Sequence, residues 1–265
     1  MEYLYGDNIS VQIPNSIFKK LSRNIKNKNG STNIQQASFA YTYIVVVTFL
    51  YKYAHFVDID NGTYVQNADI KELLGYSKTT KSIDNIIKRG GVLDDIGLTK
   101  SISDYPIRFV MHPDETINDV PVREFVTIGD VDTNDINYTT IKGVVKNRNY
   151  IVKEPLFLFE RDEEGGTLYD YANTHAVTIN EISRFVDDSK LDNIDFAMYC
   201  YFKSKCKNLK NDTRAIKLDT IIGELGIGKD ALYSHLDILK SNKFVEVTHK
   251  GWTYSNDIIE ANEYR

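Results

Sequence analysis

Two stretches of the chain repeat one local plan, and that plan limits the folds open to it. The first is Ala68–Val92, ADIKELLGYSKTTKSIDNIIKRGGV. The second is Leu218–Val245, LDTIIGELGIGKDALYSHLDILKSNKFV. Each predicts a short helix (Ala68–Leu74, Asp219–Leu225), a Leu-Gly break, a longer helix and then a strand. Glycine suits the break because it accepts a left-handed backbone without a Cβ clash. The first longer helix is expected from Ser77 or Thr79 to about Lys88, with Ile83, Ile86 and Ile87 inward. The second is expected over Lys229–Ser241, with Leu232, Leu236 and Leu239 inward. A long helix precedes each stretch, over Ala37–Phe56 and Asn193–Asn208, so the pair reads as a tandem duplication.

The rest of the chain supplies the frame. Residues 1–13 suggest a short strand. After Pro14, the spacing of Ile17, Phe18, Leu21 and Ile25 predicts a helix, with Lys19, Lys20, Arg23 and Lys26 off its apolar stripe. Lys19–Lys28 holds five Lys/Arg in ten residues and no acid. That is a solvated face plus loop, or an added phosphate contact. Asn27–Gln36 is polar and predicts a loop. Tyr41–Tyr51 is the longest apolar stretch, 11 residues. A bilayer span needs about 20, so it belongs to a core helix. Asp60–Gly62 signals a turn, with a strand at Thr63–Gln66 after it, and a further strand is expected over Val92–Thr99. Residues 105–180 carry strand-like runs at Ile107–Met111, Arg123–Ile128, Tyr150–Phe159, Thr167–Tyr171 and Ala176–Ile179. Acidic turns at Asp130–Asp135 and Glu160–Gly166 lie among them. Glu181–Val186 suggests one helical turn, and a hairpin is expected from Phe244–Val247 and Trp252–Tyr254 around Lys250-Gly251.

Charge is unevenly placed. The chain is −5 overall, with 32 Lys/Arg and 37 Asp/Glu in 265 residues. Residues 1–91 carry 11 Lys/Arg and 7 Asp/Glu, residues 92–195 carry 10 and 21, and residues 196–265 carry 11 and 9. The acid therefore sits in the middle. An electrostatic footprint is local, so two mildly basic flanks leave nucleic acid open as a partner. A composition of 42% hydrophobic and 26% charged residues argues against disorder. No basic-then-apolar leader follows Met1, so no signal peptide is expected. Cys200 and Cys206, six apart on one helix, point about 240° apart and are not expected to bond. A reducing, cytoplasmic compartment is the simplest reading.

Glu224–Tyr254, ELGIGKDALYSHLDILKSNKFVEVTHKGWTY, resembles a winged helix-turn-helix domain, trailing wing included. ELLGYSKTTKSIDNIIKRGGV resembles the same module with a less regular wing. Tandem winged helices joined by extra strands are similar in layout to plasmid and phage replication initiators. The resemblance implies that the exposed face of each longer helix reads bases while its N-terminus and the wing hold phosphates. In the first module this falls on Ser77, Lys78, Thr79, Thr80, Lys81, Asn85 and Lys88, with Asn85 suited to bidentate pairing with adenine. In the second it falls on Lys229, Tyr233, Ser234, His235 and Lys240, with His249 and Lys250 at the wing tip. Asp230 departs from the pattern, since a carboxylate repels phosphate, and reads instead as a helix cap. The first module's helix is the better bet for that reason.

Other motifs fail on chemistry. Gly223–Asp230 nearly fits a P-loop, but Asp230 lacks the hydroxyl that Mg²⁺ needs there, and a helix precedes it where a strand should. Asp58–Gly62 has its glycine one place too early for an EF-hand and reads as a turn. The five histidines show no metal-ligand spacing. His55 reads as a core residue of the long apolar helix. No G-x-S-x-G is present, and no histidine is placed to activate either cysteine.

The expected protein is α+β: a winged-helix-like domain over 1–104, an acidic strand-rich segment over 105–190, and a winged helix over 191–265. Its expected function is site-specific binding of double-stranded DNA without catalysis, with no cofactor and no metal. It would serve as a transcriptional regulator or a replication initiator of a plasmid or phage. Two modules on one chain would read two half-sites, or a homodimer would use one each. The alternative is a protein-interaction module built on winged-helix scaffolds. An enzyme acting on DNA is a third reading that no motif favours.

Overall fold

The computed structural model describes residues 9–59, 61–117, 120–131, 150–160, 167–169, 173–206, 213–249 and 261–265. The chain is mixed α+β with small antiparallel sheets. It divides into two compact units. One comprises Met1–Thr42 and Asn173–Arg265, and the other is Tyr43–Ala172. This differs from the three consecutive segments expected with boundaries at 104 and 190. Pairing between the two ends of the chain causes the difference, and local composition carries no record of it.

The first unit begins with β1 (Ser10–Pro14) and α1 (Ile17–Asn24), followed by α2 (Ile34–Lys52), in which the division falls between Thr42 and Tyr43. The second unit continues with a hairpin of β2 (Val57–Asp58) and β3 (Thr63–Tyr64), then α3 (Asn67–Leu73), α4 (Asp84–Ile87), α5 (Val92–Asp95) and β4 (Thr99–Ile102). A long hairpin of β5 (Pro106–Ile117) and β6 (Val120–Thr127) follows, then β7 (Val152–Pro155), β8 (Leu158–Glu160) and β9 (Thr167–Tyr169). β7 pairs with β4, and β8 with β9. The chain returns to the first unit with β10 (Thr174–Thr178), α6 (Ile179–Asp187), α7 (Asn193–Cys206), β11 (Arg214–Ile216), α8 (Leu218–Leu225), α9 (Lys229–Ser241), β12 (Val247–Thr248) and β13 (Asn262–Tyr264).

β1 runs antiparallel to β10 over five residue pairs, from Ser10 opposite Thr178 to Pro14 opposite Thr174. Val11, Ile13 and Val177 are buried there. Beneath them Phe18 stacks on Tyr41 with ring centres 4.9 Å apart. His175 is buried in this core, with Nδ1 2.8 Å from Asn15 Oδ1 and Nε2 2.7 Å from Tyr41 Oη. α2 is buried over 37–49, as its apolarity demands. Among the described residues no helix is long and apolar enough to cross a membrane. Cys200 and Cys206 are free and buried, and burial pushes the Cys200 thiol up to about 12.

Several local expectations are corrected. The helix expected from Ser77 to Lys88 is absent. Residues 77–83 are turns, and only the single turn of α4 is helical. The Lys71 ammonium, 5% exposed, explains it: Nζ donates to the Thr80 carbonyl at 2.8 Å and pairs with Asp84, which ties the segment down as a turn. Val92 begins a helical turn, and the strand starts at Thr99. Asp94 holds that bend, accepting from Gly90 N–H, Thr99 Oγ1, Ser101 Oγ and Lys153 Nζ at 2.7–3.0 Å. Burial would raise its carboxyl, but those donors outweigh it and hold the pKa below the usual value.

Tyr150–Phe159 is two strands, β7 and β8. Ile179 opens α6, which is longer than one turn because Thr178 and Glu181 form a reciprocal capping box. His55 lies beyond the end of α2 and is exposed. Lys250, the strand expected at Trp252–Tyr254, the 161–166 turn and residues 132–135 lie outside the described residues.

Candidate nucleic-acid interface

Within the first unit, α7 to β13 follow a compact order: helix, strand, helix, glycine turn, helix, strand, strand. The three strands form one antiparallel sheet in the order β11-β13-β12. Arg214, Ala215 and Ile216 lie opposite Tyr264, Glu263 and Asn262, so the strand before α8 closes the sheet that follows α9. α8 ends at Gly226, whose φ of +69° is left-handed and whose N–H donates to Ile222 O at 2.8 Å. Ile227 is buried in the turn. Ile221 and Leu225 of α8, with Leu232, Leu236 and Leu239 of α9, make the shared core. The Leu232-Leu236-Leu239 spacing keeps one face of α9 inward and the other in water.

Lys229, Tyr233, Ser234 and Lys240 are exposed on α9. Tyr233 is 40% exposed, a large apolar ring left in solvent. Lys240 pairs with Asp237 one turn back at 3.2 Å. His249 is exposed at the end of β12, with Nδ1 3.3 Å from Asn262 Oδ1 on β13. Asp230 does not cap α9. The N-cap is Gly228, which makes no side-chain bond, and Asp230 sits exposed in the first turn.

His235 behaves differently from its helix neighbours. It is half-buried, and its Nδ1 lies 2.8 Å from Asp195 Oδ1. Asp195 is 1% exposed and sits in the first turn of α7. Asp192 Oδ1 accepts from the Ile194 and Asp195 N–H groups, and Asp195 Oδ2 accepts from the Asp192 N–H. The capped start of α7 is thereby bonded to the middle of α9. The Asp195 hydrogen bond raises the His235 pKa against the opposing effect of burial. His235 therefore ties the middle of α9 to the start of α7. Asp192, Asp195 and His235 place ligand atoms within 4.8 Å of one another. Backbone N–H groups and the imidazole already engage three of the carboxylate oxygens, so the cluster is satisfied as a helix clasp. The D-x-x-D spacing of Asp192 and Asp195 was the one signal of it in the sequence.

The first module's residues lie in the second unit. Ser77, Lys78, Thr79, Lys81, Asn85 and Lys88 are exposed and Thr80 half-exposed, but they do not share a helix. Ser77 Oγ and Thr79 Oγ1 bond each other at 3.0 Å within a turn. Lys78 Nζ lies 3.2 Å from both Asp69 and Glu72 of α3. Those two partners, Asp69 first, hold its ammonium above the ordinary value. Asn85 stands on the single turn of α4, and Lys88 follows its end. A depression of about 440 Å³ in the same unit has Tyr51 and Phe125 as an aromatic wall. Arg89 and Lys100 face Asp104 and Glu154 in its lining, two charges of each sign, so it selects no charge class.

Compared with known proteins, the chain matches no family model, no curated protein and no solved structure.

Proposed function

We propose that the protein binds double-stranded DNA at specific sites through its first unit, using α9 as the reading helix. The observation that supports this reading is the order α7-β11-α8-turn-α9-β12-β13 with β13 central in the sheet, an order similar to that of a winged helix-turn-helix. Two further features support it. The outer face of α9 carries polar residues from Lys229 at its start through Ser234 to Lys240, with the Tyr233 ring among them. Charge is also partitioned: residues 1–42 and 173–265 carry 18 Lys/Arg against 16 Asp/Glu, whereas residues 43–172 carry 14 against 21.

In this reading Lys229 and the first-turn N–H groups of α9 meet phosphate oxygens, because a helix N-terminus favours an anion. Tyr233 and Ser234 face base edges in the major groove, and His249 meets the backbone beside the wing. His235 fixes the angle of α9 through Asp195. The protein performs no reaction of its own on the DNA, and its role is that of a transcriptional regulator or a replication initiator of a mobile element.

The test is binding of the full chain to a pool of random duplexes, followed by selection of bound fragments. The expected result is enrichment of one motif, with affinity falling steeply as salt rises from about 50 to 200 mM through loss of phosphate contacts. No duplex binding at the lower salt contradicts the reading.

A further inference from the structure

The N-terminal segment lies far from α8 in sequence and directly against α8 and its glycine turn in space. α1 buries Ile17, Phe18, Leu21 and Ser22 and turns Lys19 and Arg23 outward. Ser22 Oγ donates to the Glu224 carbonyl of α8 at 2.8 Å, two residues before the glycine. The chain then reverses at residues 26–32 and lies over the break itself. A Cβ on Gly226 would fall 2.2 Å from Thr32 Oγ1, so the Thr32 side chain packs directly on the glycine in the space a side chain there would need. Thr32 Oγ1 donates to the Ser22 carbonyl at 2.8 Å and accepts from Lys26 Nζ at 3.2 Å, which fastens the reversal to α1.

The reversal is braced from within. Asn27 N–H donates to Ser31 O at 2.8 Å, and Gly30 N–H donates to Asn27 O at 2.9 Å. Asn29 Oδ1 accepts from both the N–H and the hydroxyl of Ser31, at 3.1 and 2.7 Å. Residues 26–31 are all exposed. What they present is cationic, with no acid nearby along the chain, and across it Lys19 already acts on the Glu224 carboxylate. No acidic residue occurs between Asp7 and Asp58, while Lys19, Lys20, Arg23, Lys26 and Lys28 all fall in that span. The nearest carboxylate on α8, Glu224, is already paired with Lys205 at 2.6 Å and bonded by Tyr201 at 3.0 Å. Asp230, in the first turn of α9, is the exposed acid of the neighbouring helix start.

We propose that α1 and the 26–32 reversal form a second phosphate-binding element, built onto the helix-turn-helix at its turn, that grips the DNA backbone beside the groove entered by α9. The inference rests on the DNA-binding reading above. Charge complementarity identifies the occupant: a rigid, exposed cluster of ammonium and guanidinium groups beside a helix start suits the evenly spaced anions of a sugar-phosphate backbone. Such contacts fix register on the duplex and carry no base information.

The experiment compares the full-length protein with Lys19→Ala/Arg23→Ala/Lys28→Ala on the selected duplex and on a random duplex, across a salt series. Each phosphate contact contributes about 0.9 to the slope of log K against log salt, so the slope is expected to fall by about 2 to 3. Affinity is expected to weaken by roughly tenfold or more on both duplexes alike, with the base preference unchanged. An unchanged slope in a variant with the parental circular dichroism and melting temperature overturns the inference and leaves the DNA-binding reading standing. A loss confined to the selected sequence overturns it too, because a backbone grip acts on every sequence. Failure of the unaltered protein to bind any duplex removes both. Lys28→Glu, on the exposed reversal, reads the same slope should the triple variant not fold.

Discussion

The two Leu-Gly stretches look alike in sequence and fold differently. At the C-terminal stretch the segment after the glycine is a helix of 13 residues with three leucines inward. At the N-terminal stretch it is a run of turns ending in a helix of four residues. The difference lies in what each helix can bury and what competes with it. Leu232, Leu236 and Leu239 mark an inner stripe along α9. Ile83, Ile86 and Ile87 cover one turn only, and Gly90 and Gly91 follow at once. Thr79 and Thr80 are β-branched and favour turns, and Lys71 offers the Thr80 carbonyl and Asp84 a partner that helix geometry would deny them. A glycine break between apolar runs therefore specifies a corner. It does not specify what comes after the corner.

The glycines provide the largest expected contrast. Both are left-handed, at φ +81° for Gly75 and +69° for Gly226. Gly75 has open space where a Cβ would go, whereas Gly226 faces Thr32. Gly226→Ala is expected to destabilise by about 2–4 kcal/mol, from backbone strain plus overpacking, and Gly75→Ala by about 1 kcal/mol from strain alone. Urea unfolding of each variant measures this, and equal losses would break the contrast.

The clasp between Asp195 and His235 comes next. Its partner geometry has no counterpart in the first stretch. Removing the imidazole by His235→Ala leaves a buried carboxylate short of a donor and is expected to cost about 1.5–3 kcal/mol at pH 6. The sign with pH follows from the raised His235 pKa. The stabilisation is fully present below the unfolded value of about 6.5 and is lost as pH rises through the higher folded value. Unfolding midpoints across pH 5.5 to 8.5 should therefore fall more for the parent than for His235→Ala, and parallel curves would dismiss the clasp.

Smaller effects separate the two stretches on DNA. Lys229→Ala is expected to weaken binding uniformly across sequences and to lower the salt slope by about 1. Lys78→Ala is expected to leave affinity within about twofold, since Lys78 is not part of α9 and its charge is offset by Asp69 and Glu72 at 3.2 Å. Competition titrations on the same duplex rank the two, and a reversed order would return the first stretch to the interface.

Much of the second module was legible because its signals are local: the Gly226 cap, the leucine spacing of α9 and the lysine at its start. Parts of β5 and β6 were legible for the same reason, at the β-branched and aromatic runs Ile107–Met111 and Arg123–Ile128, but not their pairing as one long hairpin. The long-range features were not. Nothing in residues 10–14 says that they pair with 174–178, so the sequence grouped them with the residues that follow. His235 looked like a reading residue because its partner Asp195 lies 40 positions away on another helix. Lys78 and Lys81 looked like a basic helix face because the acids of α3 and the reach of Lys71 are tertiary facts.

The most direct measurement is amide hydrogen exchange of the full chain with and without a selected duplex. Slowed exchange is expected at residues 26–31 and 229–240, with 77–88 unchanged. Protection confined to 77–88, or none at all under saturating DNA, would contradict the account.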